Sequence, residues 1–344
     1  MLELHFTHTN GPADEAIENL IALVGGVQSP EIVRELILAA LKAGQEDAQK
    51  ADLKLMNTSL KEMRFTSKVF GPYRHIKKVT VFGSARTKPD TPVYTMAKKL
   101  GRDLAATGYM VITGGGPGIM QAVNEGAGPE HSFGVNIRLP FEQKPNPVIE
   151  GNPRHIDYKY FFNRKIAFLK EAHALVLFPG GFGTLDEAME AVTLLQTGKR
   201  YSLPLVLIDE PGGKYWSQCL DFFKNELLRR GFISEADFTL FHCVDSVDAA
   251  IEHIGHFYFR YHSLRFVNGR LVIRLNSSIT PANLKTLEAN YSDLVASGGC
   301  MALSKALPEE SDESEIAHLT RLVMDFNHGN FGRLRQLIDD INNC

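Results

Sequence analysis

The residues best suited to chemistry stand in one stretch, Pro179-Gly180-Gly181-Phe182-Gly183-Thr184-Leu185-Asp186-Glu187. An apolar run from Ala174 to Phe178 ends there, and a helical pattern begins with Leu185, Met189, Val192 and Leu195 on one side. Gly180, Gly181 and Gly183 allow the backbone to come close to a ligand. A helix starting here aims free N–H groups and the positive end of its dipole above the strand, a construction that suits phosphate, with the Thr184 hydroxyl beside it. Glu187 is open to two readings. Thr184-Leu185-Asp186-Glu187 fits the T-x-x-E capping box, in which the glutamate satisfies a backbone donor. A carboxylate beside an anion site also suits a cationic transition state, and glycosidic bond cleavage passes through one, an oxocarbenium ion.

Two more glycine loops follow apolar runs. Gly83-Ser84-Ala85-Arg86 comes after Lys78-Val79-Thr80-Val81-Phe82, and Gly114-Gly115-Gly116-Pro117-Gly118 after Tyr109 to Thr113. The second loop does not fit the dinucleotide pattern G-x-G-x-x-G, because Ile119 occupies the third glycine position, and no G-x-x-x-x-G-K-[ST] occurs. Gly115, Gly116 and Gly118 are either a tight turn or a cradle for the phosphate or ribose of a mononucleotide. Ser84 reads as a helix cap or as a second hydroxyl for the anion. Arg164, in Asn163-Arg164-Lys165, is a surface charge or a ligand partner. His253 and His256 lie three apart with no further ligand cluster, so a solvated face is preferred and no metal site is expected. No G-x-S-x-G or H-E-x-x-H sequence is present.

The elements that must position these residues alternate. Strands at 78–82, 109–113, 133–137, 174–178 and 204–208 are interleaved with helices at 93–106, from 119 toward 126, 161–172, from Leu185, 215–229 and 247–257. That alternation predicts a Rossmann-like, doubly wound parallel α/β sheet, whose strand ends share one edge and bring the glycine loops to one crevice. Residues 1–75 read as a helical extension, with stripes at Ile17, Leu20, Ile21, Val24 and at Val33, Leu36, Ile37, Ala40, Leu41, and a more polar third stretch from Asp47 to Glu62. Ser29-Pro30 is the expected cap of the second helix. The nucleotide-type domain is expected over 76–261, and a small α+β appendage over 262–344. The appendage would hold a strand at Arg270–Leu275, a helix from Thr280-Pro281, a strand near Cys300–Leu303, an acidic loop at 308–313 and a last helical region from Ile316 to Ile341 broken near Gly329.

Composition bounds the setting. The chain has 344 residues, 44% of them apolar and 22% charged, which suits a globular protein of two or three units with a sizeable core. A formal charge of -3 gives no case for a nucleic acid polymer or a membrane surface as partner. Cys219, Cys243, Cys300 and Cys344 form no C-x-x-C pair, and the Met1-Leu2-Glu3-Leu4-His5 start lacks a signal-peptide form, so the expectation is cytoplasmic.

The Pro179–Glu187 stretch resembles the PGGxGTxxE motif of the LOG (LONELY GUY) family, often labelled "lysine decarboxylase-like". Asn163-Arg164-Lys165, Gly114–Gly118 and Gly83-Ser84 match further family landmarks in the right order, so the resemblance covers roughly 76 to 260. It implies hydrolysis of a nucleoside 5′-monophosphate, AMP or a related purine or cytokinin-type nucleotide, to free base and ribose 5-phosphate. It also implies Arg164 and Glu187 as the catalytic pair, no cofactor, and a homodimer or higher homo-oligomer. Nothing in these residues marks a pyridoxal-phosphate lysine. The alternative is a non-catalytic nucleotide- or molybdenum-cofactor-binding carrier of the same fold. The long terminal extensions resemble those of the larger bacterial members.

Overall fold

The segment Lys78–Phe82 (β1) is buried along its whole length and lies in the middle of a parallel sheet. The computed structural model describes residues 4–46, 49–139 and 144–344. Around β1 run Met110–Thr113 (β2), Ser132–Ile137 (β3), His155–Tyr158 (β4), Ala174–Leu177 (β5), Leu205–Ile208 (β6) and His242–Val244 (β7). They form a seven-stranded sheet in the order β4-β3-β2-β1-β5-β6-β7, every pair parallel. The order reverses at β1, between β2 and β5, which puts a crevice at their carboxyl ends.

Helices cover both faces, as a sheet of two-sided apolar strands requires. Pro92–Ala106 (α4), Ile119–Ala127 (α5) and Val247–Phe257 (α9) pack over Val79, Val81, Val111 and Val176. Phe161–Lys170 (α6), Phe182–Gln196 (α7) and Tyr215–Phe222 (α8) pack over Phe82, Ile112, Leu175 and Leu177 on the other face. A π-helical turn, Phe223–Leu228, continues α8. On the first face α4 and α5 meet backbone to backbone. A Cβ on Gly101 would lie 2.1 Å from the Val123 carbonyl oxygen, and one on Gly126 would lie 1.9 Å from that of Lys98.

A second sheet follows, built of Tyr261–Val267 (β8), Arg270–Leu275 (β9), Met301–Ser304 (β10) and Thr320–Met324 (β11) in the antiparallel order β10-β11-β9-β8. Its apolar face, with Leu271, Ile273 and Leu322, packs on Leu334, Leu337 and Ile338 of Phe331–Asn343 (α11), with Leu287 of Pro281–Asn290 (α10) in the same core. Arg274 and Arg321 stand directly opposite each other on β9 and β11, both buried, a pairing of like charges that is unfavourable alone. Glu310 offsets it: Oε1 accepts from Arg274 Nη2 at 2.7 Å, and Oε2 accepts from Arg321 Nε at 3.1 Å and from the Leu307 amide at 3.0 Å. The acidic stretch at 308–313 is exposed except for Glu310, which it sends into the interior, and for the half-buried Glu313, which also bonds to Arg265 and Arg274.

The contacts divide the chain into units 1–67 and 68–344. The first holds Pro12–Val24 (α1), Pro30–Gln45 (α2) and most of Lys50–Phe70 (α3). Its small core joins Leu4, Ile17 and Leu38, and the buried Arg34 bonds to the Phe6 and Thr7 carbonyls and to Asp14. Of the third helical stretch expected from Asp47, residues 47 and 48 lie outside the described residues, as do residues 1–3 of the chain start.

Several expectations need correction. Ser29 does not cap α2; it has a left-handed backbone (φ 52°) and its side chain makes no capping bond. The region from Ile316 is not one broken helix, because Thr320–Met324 is a strand and only Phe331–Asn343 is helical. Strands β4, β7 and β8 were not expected.

Candidate active site

The three glycine loops meet at the crevice and are stitched together by their backbones. The Ser84 amide donates to the Pro179 carbonyl at 3.1 Å, and the Ile119 amide donates to the Ser84 carbonyl at 3.1 Å. Tyr215 of α8 donates its hydroxyl to the Gly180 carbonyl at 2.8 Å, and Trp216 Nε1 reaches the Leu177 carbonyl at 3.0 Å. The result is a cleft of about 1350 Å³ lined by Gly83, Ser84, Gly116, Arg164, Gly180, Gly181, Gly183, Thr184 and Glu187, among others.

Gly115 and Gly118 do not line it. They turn the chain behind it, at φ +67° and +69°, and a Cβ on them would lie 1.9 Å from Asn136 Oδ1 and 2.3 Å from the Ser84 carbonyl oxygen. Gly180 is likewise required by packing, since its Cβ would meet Thr184 Oγ1 at 2.1 Å. Gly181 and Gly183 differ: a Cβ on either would meet nothing within 4 Å, so their missing side chains leave room in the cleft.

Helix α7 starts at Phe182 with Gly181 as its cap residue and no side-chain capping bond. Thr184 is therefore inside the first turn, its amide bonded to the Gly181 carbonyl at 3.0 Å, and the T-x-x-E capping box is not formed. The amides of Phe182 and Gly183 have no backbone acceptor among the described residues, as the opening of a helix dictates. Phe182 itself is 93% exposed at the mouth.

Freed from a capping role, Glu187 is 7% exposed, and its Oε2 has no hydrogen-bond partner among the described residues. Burial pushes its carboxyl up to about 7, against the pull of Lys165 and Arg164. Arg164, on α6, donates from Nε to the Val135 carbonyl at 2.9 Å, and its guanidinium stacks 5.0 Å over the Phe168 ring. A Cβ on Gly114 would lie 2.5 Å from Arg164 Nη2, so that glycine makes room for the guanidinium. Burial lowers Arg164 to about 10, with Glu187 opposing. Arg164 and Glu187 share the cleft without a hydrogen bond between them.

Sequence reasoning gave no role to Lys165, whose Nζ lies 2.8 Å from Asp186 Oδ2, 2.8 Å from Glu190 Oε2 and 3.8 Å from Glu187 Oε2. The signal was available: a lysine next to Arg164 and three acids, at 186, 187 and 190, on one helix. Asn136 was also missed. It is a buried polar residue near the end of β3 that lines the cleft, and its Oδ1 has no hydrogen-bond partner among the described residues. Arg86, Lys88 and Glu210 complete the outer walls. His253 stacks on His242 at 4.2 Å, remote from these residues in sequence and outside the cleft lining.

Residues 119–254 match the family model described as "Possible lysine decarboxylase". Over these residues the sheet domain is similar to LOG-family proteins. Among the curated relatives of this domain is a probable cytokinin riboside 5′-monophosphate phosphoribohydrolase of Oryza sativa subsp. japonica. It is 28% identical over 161 residues, which is 46% of this chain and 74% of the relative. The pyrimidine/purine nucleotide 5′-monophosphate nucleosidase of Escherichia coli K12 is 29% identical over 142 residues, 38% of this chain and 31% of that one. Among solved structures, the molybdenum cofactor carrier protein of Chlamydomonas reinhardtii aligns at 23% identity over 52% of this chain and 96% of its own, with a TM-score of 0.36. No helix among the described residues is long and apolar enough to cross a membrane.

Proposed function

We propose that the sheet domain, over residues 76–261, is a LOG-type domain that hydrolyses the N-glycosidic bond of a nucleoside 5′-monophosphate, AMP or a related purine nucleotide, to free base and ribose 5-phosphate. The observation that carries the reading is Glu187: a buried carboxyl with an unbonded oxygen, poised near neutrality, one turn from a helix N-terminus with free amides. A carrier needs the amides but gains nothing from an unpaired buried acid, which is costly to keep.

In this reading the 5′-phosphate sits on the amides of Phe182 and Gly183, where Gly181 and Gly183 leave the approach open and the α7 dipole favours negative charge. The Ser84 and Thr184 hydroxyls lie on the same floor, and Arg164 faces phosphate or ribose from α6. Water attacks C1′ as the bond to the base nitrogen breaks. The base leaves with the bonding pair and takes up a proton, and the attacking water loses one. Glu187 as carboxylate stabilises the positive charge that develops on the ribose and accepts the water proton. A carboxyl near 7 can pass that proton on at neutral pH. The exposed Phe161, Phe162 and Ile166 on α6 support the expectation of a homo-oligomer, which a solution mass measurement tests.

The deciding experiment is chromatographic detection of free base and ribose 5-phosphate from a panel of nucleoside monophosphates, with Glu187→Ala and Arg164→Ala as controls. Release by the wild type and its loss in both variants is the expected result. No base from any nucleotide overturns the reading.

A further inference from the structure

One lysine in this site is shared among three carboxylates, and the sharing is uneven. Asp186 and Glu190 lie four apart on α7, on the same side of the helix; Asp186 lines the rim of the cleft beside the more deeply buried Glu187. Lys165 reaches across from α6 and bonds both outer acids at 2.8 Å, leaving its Nζ 3.8 Å from Glu187 Oε2, beyond hydrogen-bond range. Electrostatics alone would draw the ammonium to the most buried partner, because charges attract most strongly where water is excluded. Here the most buried carboxyl of the three is the one left unbonded: its side chain is 9% exposed, against 60% for Asp186 and 32% for Glu190.

We propose that Asp186 and Glu190 are positioning residues that act through Lys165, holding its ammonium off Glu187 so that this carboxyl stays unpaired and free to exchange a proton. The inference rests on the proposed hydrolase reading. Without the two outer acids Lys165 would close on Glu187, fix it as a paired carboxylate and weaken it as a base. Without Lys165 the buried carboxyl would lose its nearest cation and stay protonated to higher pH. The charged groups acting on Glu187 are Arg164 and Lys165 from α6 and Asp186 and Glu190 from its own helix; Arg86, Lys88 and Glu210 stand on the other cleft walls.

The test is the pH profile of kcat/KM for base release in wild type, Lys165→Gln, and Asp186→Asn with Glu190→Gln. The limb set by Glu187 should move up by about one pH unit in the lysine variant and down by about one unit in the acid variant, since an opposite charge in contact shifts a carboxyl by at least that much. In the Lys165→Gln background the two acid substitutions should lose most of their effect. If they act there at full strength, they work on Glu187 directly and the proposal falls. It also falls if both variants shift the limb the same way or leave it unmoved, the result of a purely structural tie between α6 and α7. Asp186→Asn alone, at a mostly exposed position, serves if the double variant folds poorly. A second readout needs no turnover: in each background, the pH at which the stability difference from its Glu187→Gln counterpart appears reports the Glu187 titration. If this moves as stated while no nucleotide is cleaved, the hydrolase reading fails and the positioning stands. If base is released and neither readout moves, the reverse holds.

Discussion

Two glutamates of this chain are almost equally buried, and their surroundings drive them in opposite directions. Glu310, under the antiparallel sheet, receives both arginines and a backbone amide, and these hold its carboxyl below the usual value against the cost of burial. Glu187, at the open end of the parallel sheet, has an unbonded oxygen and is pushed up to about 7. Burial is common to both, so the difference lies in hydrogen bonding. A buried acid whose every oxygen is satisfied is part of the frame. One left unsatisfied beside a cleft is a candidate for proton transfer.

The contrast can be broken by substitution, and the largest effect belongs to Glu187. Glu187→Gln keeps the shape and should cut base release on the order of a thousandfold, as expected for removal of a general base that also stabilises charge, while circular dichroism stays native. An active Glu187→Gln enzyme would remove the distinction. Glu310→Gln should do the reverse. It takes from the buried Arg321 its carboxylate partner and leaves Arg274 with Glu313 alone, and should cost about 4 kcal/mol of stability in denaturant unfolding, with kcat of the folded enzyme unchanged.

The pH dependence sharpens the comparison. Glu187 is raised from 4.5 in the unfolded chain to about 7 in the fold, so the native state favours the protonated form. The stability tied to this is present below pH 4.5 and is lost as pH rises through 7. Glu187→Gln should therefore unfold at higher temperature than wild type at pH 8, by a free energy of up to about 3 kcal/mol, and match it near pH 4. Glu310 is depressed, so its contribution is present above the usual carboxyl value and is lost as pH falls through the lower native one. The smallest effect is at Gly183. Alanine there meets nothing in the fold, so Gly183→Ala should leave the melting temperature nearly unchanged and lower kcat/KM for a nucleotide about tenfold, one obstructed phosphate contact. Gly115→Ala, against Asn136, should instead lower the melting temperature.

The parallel sheet was legible because β1, β2, β3, β5 and β6 are mostly apolar runs between helical stretches, and β1, β2 and β5 end in glycine loops. The strands that escaped are the edge ones and the charged ones. His155–Tyr158 and His242–Val244 are short edge strands with polar or exposed residues, which periodicity does not mark. Thr320–Met324 carries Arg321, and its apolar residues fall in step with Ile316 and Leu319 as a helix would have them. Only the facing Arg274 and Glu310 explain a buried arginine in a strand. At the site, Arg164 and Glu187 could be named from their motifs, but the T-x-x-E pattern pointed to a cap that does not form. The helix begins two residues before Thr184, because the glycine at 181 already ends the extended chain. For Lys165 the sequence shows the acids at 186, 187 and 190 as one cluster on a helix, but not that the lysine reaches them, because it stands on a different helix.

The glycine contact between α4 and α5 has a consequence beyond packing. Helix α5 leads directly out of the Gly114–Gly118 loop, and α4 begins at Thr91, Pro92 and Val93, all in the cleft lining. The distance between these two helices therefore sets the separation of two parts of that lining. The spacing is as small as two backbones allow. One methyl group at Gly126, where 1.9 Å separates the added carbon from Lys98 O, can only widen it. Gly126→Ala is thus a remote adjustment of cleft width made from the far face of the sheet, and a nucleotide too bulky for the native enzyme is the probe with which to read it.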